Sequence, residues 1–427
     1  MKNYFWIIFL PLLCVVLIFS CKKEESVELP PCENPLEEAT FSIKLRKGST
    51  EPLYIFPKFA ILSDNDGNVL DFIELLEYEQ NLETYCEGAN SYNVTLLRFN
   101  YDQDSQKSNY SLMTYLDVPN GMLFNFKSLV NFGQTFKTDL EITNIESLQK
   151  IGTDFGLSVN PGEQVSPNSF LVKNFSAPYG SLYLKVWANG NSNPRFKLLE
   201  YVSRSLVLDY QEMTLTQDTV QVELFDNRFW RFQIRGVFDD YNLFNMVNLH
   251  SDPGLQERKR RLDFFLPIDH LDGYLVEISG TEEGKPNFRF TMRKYLEEIP
   301  QSINRRDFDV SILSRNHEEL IIDTIEEASV VYTDWLLYND DEKYVRWQVV
   351  GPANRFAFKA PAIPNKILEQ YQGLDDVNSW GLQKNVHLYF YDRIETYEEY
   401  LESIYDGNLT NLTSFYNGEE RYTGEYD

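Results

Sequence analysis

The sequence predicts an all-β protein: several antiparallel β-sandwich modules with a few short helices near the C-terminus. Three observations carry that prediction. Apolar and polar residues alternate with a period of two in one run after another. Those runs are rich in Val, Ile, Tyr, Phe and Trp, the residues that pack well on a pleated surface. Clusters of Gly, Asn, Asp and Pro separate them at short spacing, as in sandwiches.

The first alternating run is "TFSIKLR", from Thr40 to Arg46. "SLYLKVWA" (Ser181–Ala188), "TVQVELF" (Thr219–Phe225) and "RFWRFQIRGVF" (Arg228–Phe238) follow. The later ones are "NFRFTMRKY" (Asn287–Tyr295), "KYVRWQVV" (Lys343–Val350) and "VHLYFYD" (Val386–Asp392). Turn signals stand at "DNDGN" (Asp64–Asn68), "VPNGM" (Val118–Met122), "ANGNSNP" (Ala188–Pro194) and "YNDDEK" (Tyr338–Lys343). Helices are few. "PNKILEQYQG" (Pro364–Gly373) has proline at its start and glycine past its end. "RIETYEEYLESIYDG" (Arg393–Gly407) puts Ile394, Tyr397, Tyr400, Leu401 and Ile404 on one face. "PGLQERKRRLDFF" (Pro253–Phe265) is a third helical candidate.

A chain of 427 residues exceeds one sandwich. The expected division is a leader over residues 1–20, a tether over 21–39, a sandwich over 40–135 and a β module over 136–205. Another sandwich follows over 206–310, then one carrying the C-terminal helices over 311–427. "FAILSDNDGNVL" (Phe59–Leu70) resembles the strand–turn–strand of transthyretin-like or carboxypeptidase-regulatory-like domains.

The first residues read as an export signal: Lys2 followed by an apolar stretch from Tyr4 to Phe19, broken at Pro11. The stretch is shorter than the ~20 residues a bilayer-spanning helix needs. It ends at Ser20-Cys21, and Ile18-Phe19-Ser20-Cys21 resembles the bacterial lipobox. That resemblance implies a lipidated Cys21 and an outer-membrane address, with the membrane as one partner. Several acyl chains, at about 0.8 kcal/mol per buried methylene, hold far better than one myristoyl group. Lys22-Lys23-Glu24-Glu25 resembles the surface-export signal of Bacteroidota lipoproteins, which implies display at the cell surface; the alternative is a solvated tether.

Lys and Arg number 39 against 65 Asp and Glu, a net charge of −26 that argues against a nucleic-acid partner. Of four cysteines, Cys14 lies in the leader and Cys21 takes lipid. Cys32 and Cys86 are a disulfide candidate outside the cytoplasm, the alternative being two buried thiols. No Cys/His spacing suggests zinc, and neither a metal nor a cofactor is expected.

Catalytic motifs are missing. "HEELI" (His317–Ile321) has isoleucine where a zinc protease needs its second histidine. His250, His270, His317 and His387 are scattered and read as surface or packed residues, with His387 on the polar side of a sheet. Asp64 and Asp66 alternate like calcium ligands, but Leu75 stands where such a loop needs its closing acid, so a turn is expected. Acid pairs such as Asp239-Asp240, Asp340-Asp341, Asp375-Asp376 and Glu398-Glu399 are too many for one to be nominated as a glycosidase pair.

For a sugar-binding surface, the rings that fall in or beside turns are candidates: Trp380, Trp187, Tyr241 and Tyr338. Trp230, Trp335 and Trp347 lie in strand-like runs and are expected in the core. Arg258, Lys259, Arg260 and Arg261 form the only basic cluster along the chain, suited to an anionic glycan, lipopolysaccharide, an acidic partner or the chain's own acids. "DTV" (Asp218–Val220) and "DTI" (Asp323–Ile325) resemble the Bacteroidota O-glycosylation triad, which implies Thr219 and Thr324 as acceptors. The expected role is non-enzymatic binding of a glycan or a partner envelope protein. The alternatives are a glycan or peptide hydrolase using paired carboxylates, and a scaffold subunit of an envelope complex.

Overall fold

The computed structural model describes residues 41–47, 57–77, 79–85, 91–102, 107–126, 135–152, 158–159, 163–178, 182–191, 193–199, 202, 205–215, 219–224, 227–237, 246–253, 261–265, 271–282, 285–304, 306, 310–315, 319–324, 328–339, 343–371, 374, 381–405 and 418–425. The leader, Cys21, the tether with Cys32, and Cys86, Tyr241, Trp380, Arg258, Lys259 and Arg260 lie outside the described residues. Among the described residues the fold is all-β. Its strands are β1–β30 in chain order, and its two helices are α1 (Asn365–Gln370) and α2 (Tyr397–Tyr405). No helix among these residues is long and apolar enough to cross a membrane.

Twelve strands form one sheet. In spatial order they are β19 (Met246–Pro253), β18 (Asn227–Val237), β21 (Gly273–Glu282), β22 (Lys285–Leu296), β30 (Glu419–Glu425) and β29 (Gly381–Phe390), then β26 (Val330–Asn339), β27 (Lys343–Pro352), β6 (Lys107–Pro119), β5 (Ser91–Asp102), β2 (Pro57–Ser63) and β3 (Val69–Glu74). Every pairing in it is antiparallel except β6 with β27, where Trp347 lies opposite Leu112. The sheet therefore draws strands from residues 40–135, 206–310 and 311–427 alike.

Five smaller sheets surround it. One holds β4 (Glu79–Thr84), β1 (Phe41–Lys47) and β7 (Leu123–Phe126). A second holds β20 (Arg261–Phe265), β17 (Thr219–Leu224) and β23 (Ser302–Ile303), and a third β24 (Val310–Arg315), β25 (Leu320–Thr324) and β28 (Phe356–Phe358). The remaining two form a sandwich. One is β10 (Ser158–Val159), β9 (Leu148–Gly152), β13 (Leu182–Ala188), β14 (Arg195–Leu199) and β16 (Thr214–Leu215). The other is β11 (Glu163–Ser166), β12 (Ser169–Pro178), β8 (Thr135–Thr143) and β15 (Ser205–Asp209). Leu140, Ile142, Val172, Leu184 and Val186 interdigitate between them, the inward positions of alternating strands.

The helix expected over Pro253–Phe265 is corrected. Residues Arg261–Phe265 form β20, bonded antiparallel to β17 with Leu262 opposite Val222. Pairing with a neighbouring strand overrides whatever helical pattern the basic run carries. Thr219 and Thr324, the glycosylation candidates, both lie in strands, at the start of β17 and the end of β25.

The two faces of the large sheet differ. One is largely apolar, with the Lys294–Glu420 ion pair (2.6 Å) set in it. Phe232, Ile234, Val276, Ile278, Phe290, Leu388, Trp347 and Leu112 line it and pack beneath the β20–β17–β23 and β24–β25–β28 sheets and Ile367 of α1. Trp347, expected in the core, is 1% exposed, and its indole N–H donates to Thr114 Oγ1 at 2.8 Å, so its one polar atom is satisfied. The opposite face is apolar only at one end. There Phe41, Ile43, Leu45 and Phe124 of the β4–β1–β7 sheet, with Leu401 of α2, cover Ala60, Leu62, Val94 and Leu96. From β27 to β18 it is polar, except where Val350 and Val330 join that apolar cluster.

Candidate functional site

The polar face is written in the alternate positions of its strands. In "RFQIRG", Phe232 and Ile234 point to the core, which sends Arg231, Gln233 and Arg235 to the other side. "RFTMR" does the same with Arg289, Thr291 and Arg293. Register then joins them into rows. Gln233 lies opposite Glu277, Glu277 opposite Arg293, and Arg293 opposite Glu419. In the next row Thr291 faces Arg421 and Arg421 faces Tyr389. A third runs from Arg289 through Thr423 and His387 to Tyr332.

Carboxylates sit at the bottom and guanidinium groups on top. Glu277 is buried; its oxygens lie 3.3 Å from Arg231 Nη1 and 3.6 Å from Arg293 Nε. Glu419, also buried, is 3.4 Å from Arg293 Nη1. Gln233 Oε1 accepts from Arg231 at 2.9 Å and Arg235 at 3.2 Å. A buried carboxylate is tolerated only when paired, so each acid fixes the arginines above it. The arginines reach solvent: the Arg231 side chain is 48% exposed. Burial lowers the Arg235 pKa, with the Glu277 charge opposing that effect.

At the centre of the face is a line of three groups. Thr423 Oγ1 is 2.8 Å from His387 Nδ1, and His387 Nε2 is 2.9 Å from Asp334 Oδ2. Asp334 also takes a bidentate contact from Arg346, Nε at 3.0 Å and Nη2 at 2.9 Å. Burial alone would raise the Asp334 carboxyl, but hydrogen bonds from His387 and Arg346 outweigh it and hold the pKa down to about 2. His387 lies on the polar side of its sheet, as the sequence predicts. Hydroxyl, imidazole and carboxylate in this order are the components of an acyl-transfer triad. Here the ring is turned about: Nδ1 faces the hydroxyl and Nε2 the acid, the reverse of the serine-protease arrangement.

A wall of tyrosines borders the strip. Tyr332 and Tyr389 have ring centroids 4.6 Å apart, Tyr389 and Tyr391 stack at 6.3 Å, and Tyr391 and Tyr400 are 5.7 Å apart. Tyr332 and Tyr400 share a hydroxyl–hydroxyl hydrogen bond. Burial raises the pKa of Tyr389, Tyr391, Tyr397 and Tyr400, so all four are neutral phenols. Helix α2 positions Tyr400 by its start. Thr396 Oγ1 accepts from the Glu399 N–H at 3.1 Å, while Glu399 Oε2 accepts the N–H of Glu395 at 2.8 Å and of Thr396 at 3.3 Å. Arg421 lies over the Tyr389 ring at 5.9 Å, where wall and strip meet.

A second concavity, an open cleft of about 630 Å³, lies beside the β24–β25–β28 sheet. Asp66, Asp117, Glu319 and Asp323 line it together with Leu313, which is 67% exposed. The "DNDGN" stretch at its rim is the turn the sequence predicts. Asp64 Oδ1 accepts the N–H of Asp66 at 2.9 Å and of Asn68 at 2.8 Å. Gly67 adopts φ +80°, and a Cβ there would lie 2.9 Å from the Ala360 carbonyl oxygen.

The predicted site residues that the structure describes, Trp187, Tyr338 and Arg261, lie in three different sheets. Trp187 lies on β13 in the separate sandwich, with Lys150 Nζ over its ring at 5.1 Å. Tyr338 lies on β26 opposite Tyr344, and Arg261 begins β20. The linear run at 258–261 is not the only concentration of positive charge. The larger one is spatial, with one or two arginines from each of several strands. Its signal was present in the alternation, where arginine recurs at the polar positions of "RFWRFQIRGVF", "NFRFTMRKY" and "KYVRWQVV". No protein-family model matches this chain, and no curated protein matches it in sequence.

Proposed function

We propose that the protein is a lipid-anchored outer-membrane protein, held at Cys21 and displayed at the cell surface, that binds a glycan or partner envelope protein without transforming it. The observation that carries this reading is the tyrosine wall beside the arginine strip, a broad, shallow, polar surface with aromatic rings along one border. Stacked rings and fixed donors suit sugar faces and hydroxyls, or the polar interface of a partner. The membrane placement rests on the lipobox resemblance. Replacing Cys21 by alanine is expected to leave the protein unacylated and in the soluble fraction, as followed by fractionation and mass spectrometry of the N-terminal peptide. A glycan panel and cross-linking on intact cells then read the ligand. Tyr389→Ala is expected to weaken capture, and unchanged capture would remove the face from consideration.

One observation favours the alternative, hydrolysis: the Thr423–His387–Asp334 line. On that reading, which uses a hydroxyl triad in place of paired carboxylates, His387→Ala abolishes turnover of activated esters by the purified protein. A wild-type protein with no turnover returns the line to a structural role.

A further inference from the structure

Resting on the glycan-binding reading, we propose that the polar face binds an acidic polysaccharide, a chain whose sugars carry uronic-acid carboxylates. The face is anomalous in charge. The chain carries −26 overall, yet among the described residues of this face the buried acids Glu277, Glu419 and Asp334 are outnumbered by arginines that include Arg231, Arg289 and Arg421. The excess is cationic, and it is concentrated where the surface is open. Guanidinium matches carboxylate as a planar two-point fork. The face already displays that match in the bidentate Arg346–Asp334 contact.

The buried acids also prepare the arginines for a second anion. Pinned from below, a guanidinium loses little side-chain freedom when a ligand arrives from above, which removes a large part of the usual cost of binding. Arginine is found on β18, β22, β30 and β27, and the seven consecutive strands from β18 to β27 span roughly 29 Å at ~4.8 Å per strand. That length fits a polymer rather than a single small anion. Gln348, part-exposed beside Asp334, lies among the arginines as a partner for hydroxyls. Tyr389 and Tyr332, part-buried and packed on each other, bound the strip at its border. Guanidinium forks along an open polar strip are the complement of a sugar chain that bears carboxylates.

The test is binding of a long oligogalacturonate to the full chain in neutral-detergent micelles. It is run beside the methyl ester of the same oligosaccharide, poly-glutamate and duplex DNA. The acid form is expected to bind at least about tenfold tighter than the ester, since each charge-assisted hydrogen bond is worth about a factor of ten. Its affinity should fall steeply with salt. Arg231→Gln with Arg289→Gln, both exposed, is expected to cost tenfold or more with the fold retained and the thermal midpoint lowered by only a few degrees, because Arg293 still pairs Glu277, and Arg231→Lys with Arg289→Lys to retain part of the affinity. Equal binding of acid and ester, or unchanged binding by the glutamine variant, overturns the acidic-ligand proposal and leaves neutral glycan binding standing. Poly-glutamate or DNA bound as tightly overturns it in favour of a polypeptide or nucleic acid. Failure of every sugar, with no partner cross-linked on cells, removes the glycan-binding reading as well.

Discussion

The polar face of the large sheet and the cleft beside the β24–β25–β28 sheet are both rich in acids, and they treat them in opposite ways. On the face each carboxylate is buried and carries arginines above it, so the surface that solvent meets is cationic. In the cleft Asp66, Glu319 and Asp323 are at the surface, and the lining is anionic. The difference teaches that the overall charge of the chain says little about any one surface. Burial decides which member of an ion pair is presented. It also decides energy: a buried pair is costly to break, whereas an exposed acid is worth little.

The largest expected effect comes from breaking the face. Asp334→Ala leaves the imidazole and guanidinium without their shared acceptor and should cost about 3–5 kcal/mol, read from the urea midpoint. Asp323→Ala in the cleft should stay within about 0.5 kcal/mol; equal losses would erase the contrast. The next effect depends on pH. Asp334 titrates near 2 in the fold, below its usual 3.8, so its contribution is fully present above the higher value and is lost as pH falls towards the lower one. That contribution is about 2 kcal/mol, disappearing between about pH 4 and pH 2. Urea unfolding across that window should show the loss in the wild type and not in Asp334→Asn.

A smaller effect sharpens the cleft side. Gly67→Ala forces a side chain into φ +80° and against the Ala360 carbonyl, and should cost about 1–2 kcal/mol by thermal or urea unfolding. Neutral behaviour there would mean that the turn is not clamped to residue 360. The smallest effect is Arg231→Gln. With an exposed guanidinium, its loss should change stability by less than about 1 kcal/mol while changing anion binding, which separates what the strip does for the fold from what it does for a ligand.

Much of the strand content was legible because a half-buried strand must alternate. "TVQVELF" and "KYVRWQVV" announce themselves as β17 and β27, and Trp347 is in the core where its apolar neighbours place it. The polar partners of that alternation were legible one strand at a time, and His387 was placed on the correct side. Their assembly was not legible. Glu277, Arg293 and Glu419 become neighbours through the register of β21, β22 and β30, and register between distant segments is set by tertiary packing rather than by local pattern. The tyrosine wall shows the same division. Tyr397 and Tyr400 follow from helical spacing on α2, whereas Tyr332 and Tyr389 meet them only because β26 and β29 pair. The basic run at 258–261 is legible because it is contiguous; the strip is not, because its arginines come from separate strands.

The position of β30 has a consequence for how the molecule is made. This last strand in chain order is inserted in the middle of the sheet, between β22 and β29, and bonds to both. Until it arrives, the sheet consists of two unjoined portions with raw edges, and neither hydrogen-bonded rim is satisfied. A chain that lacks β30 therefore leaves the facing edges of β22 and β29 without their hydrogen-bonding partner. Clipping a few residues from β30 would not trim a tail; it would split the central slab along its length.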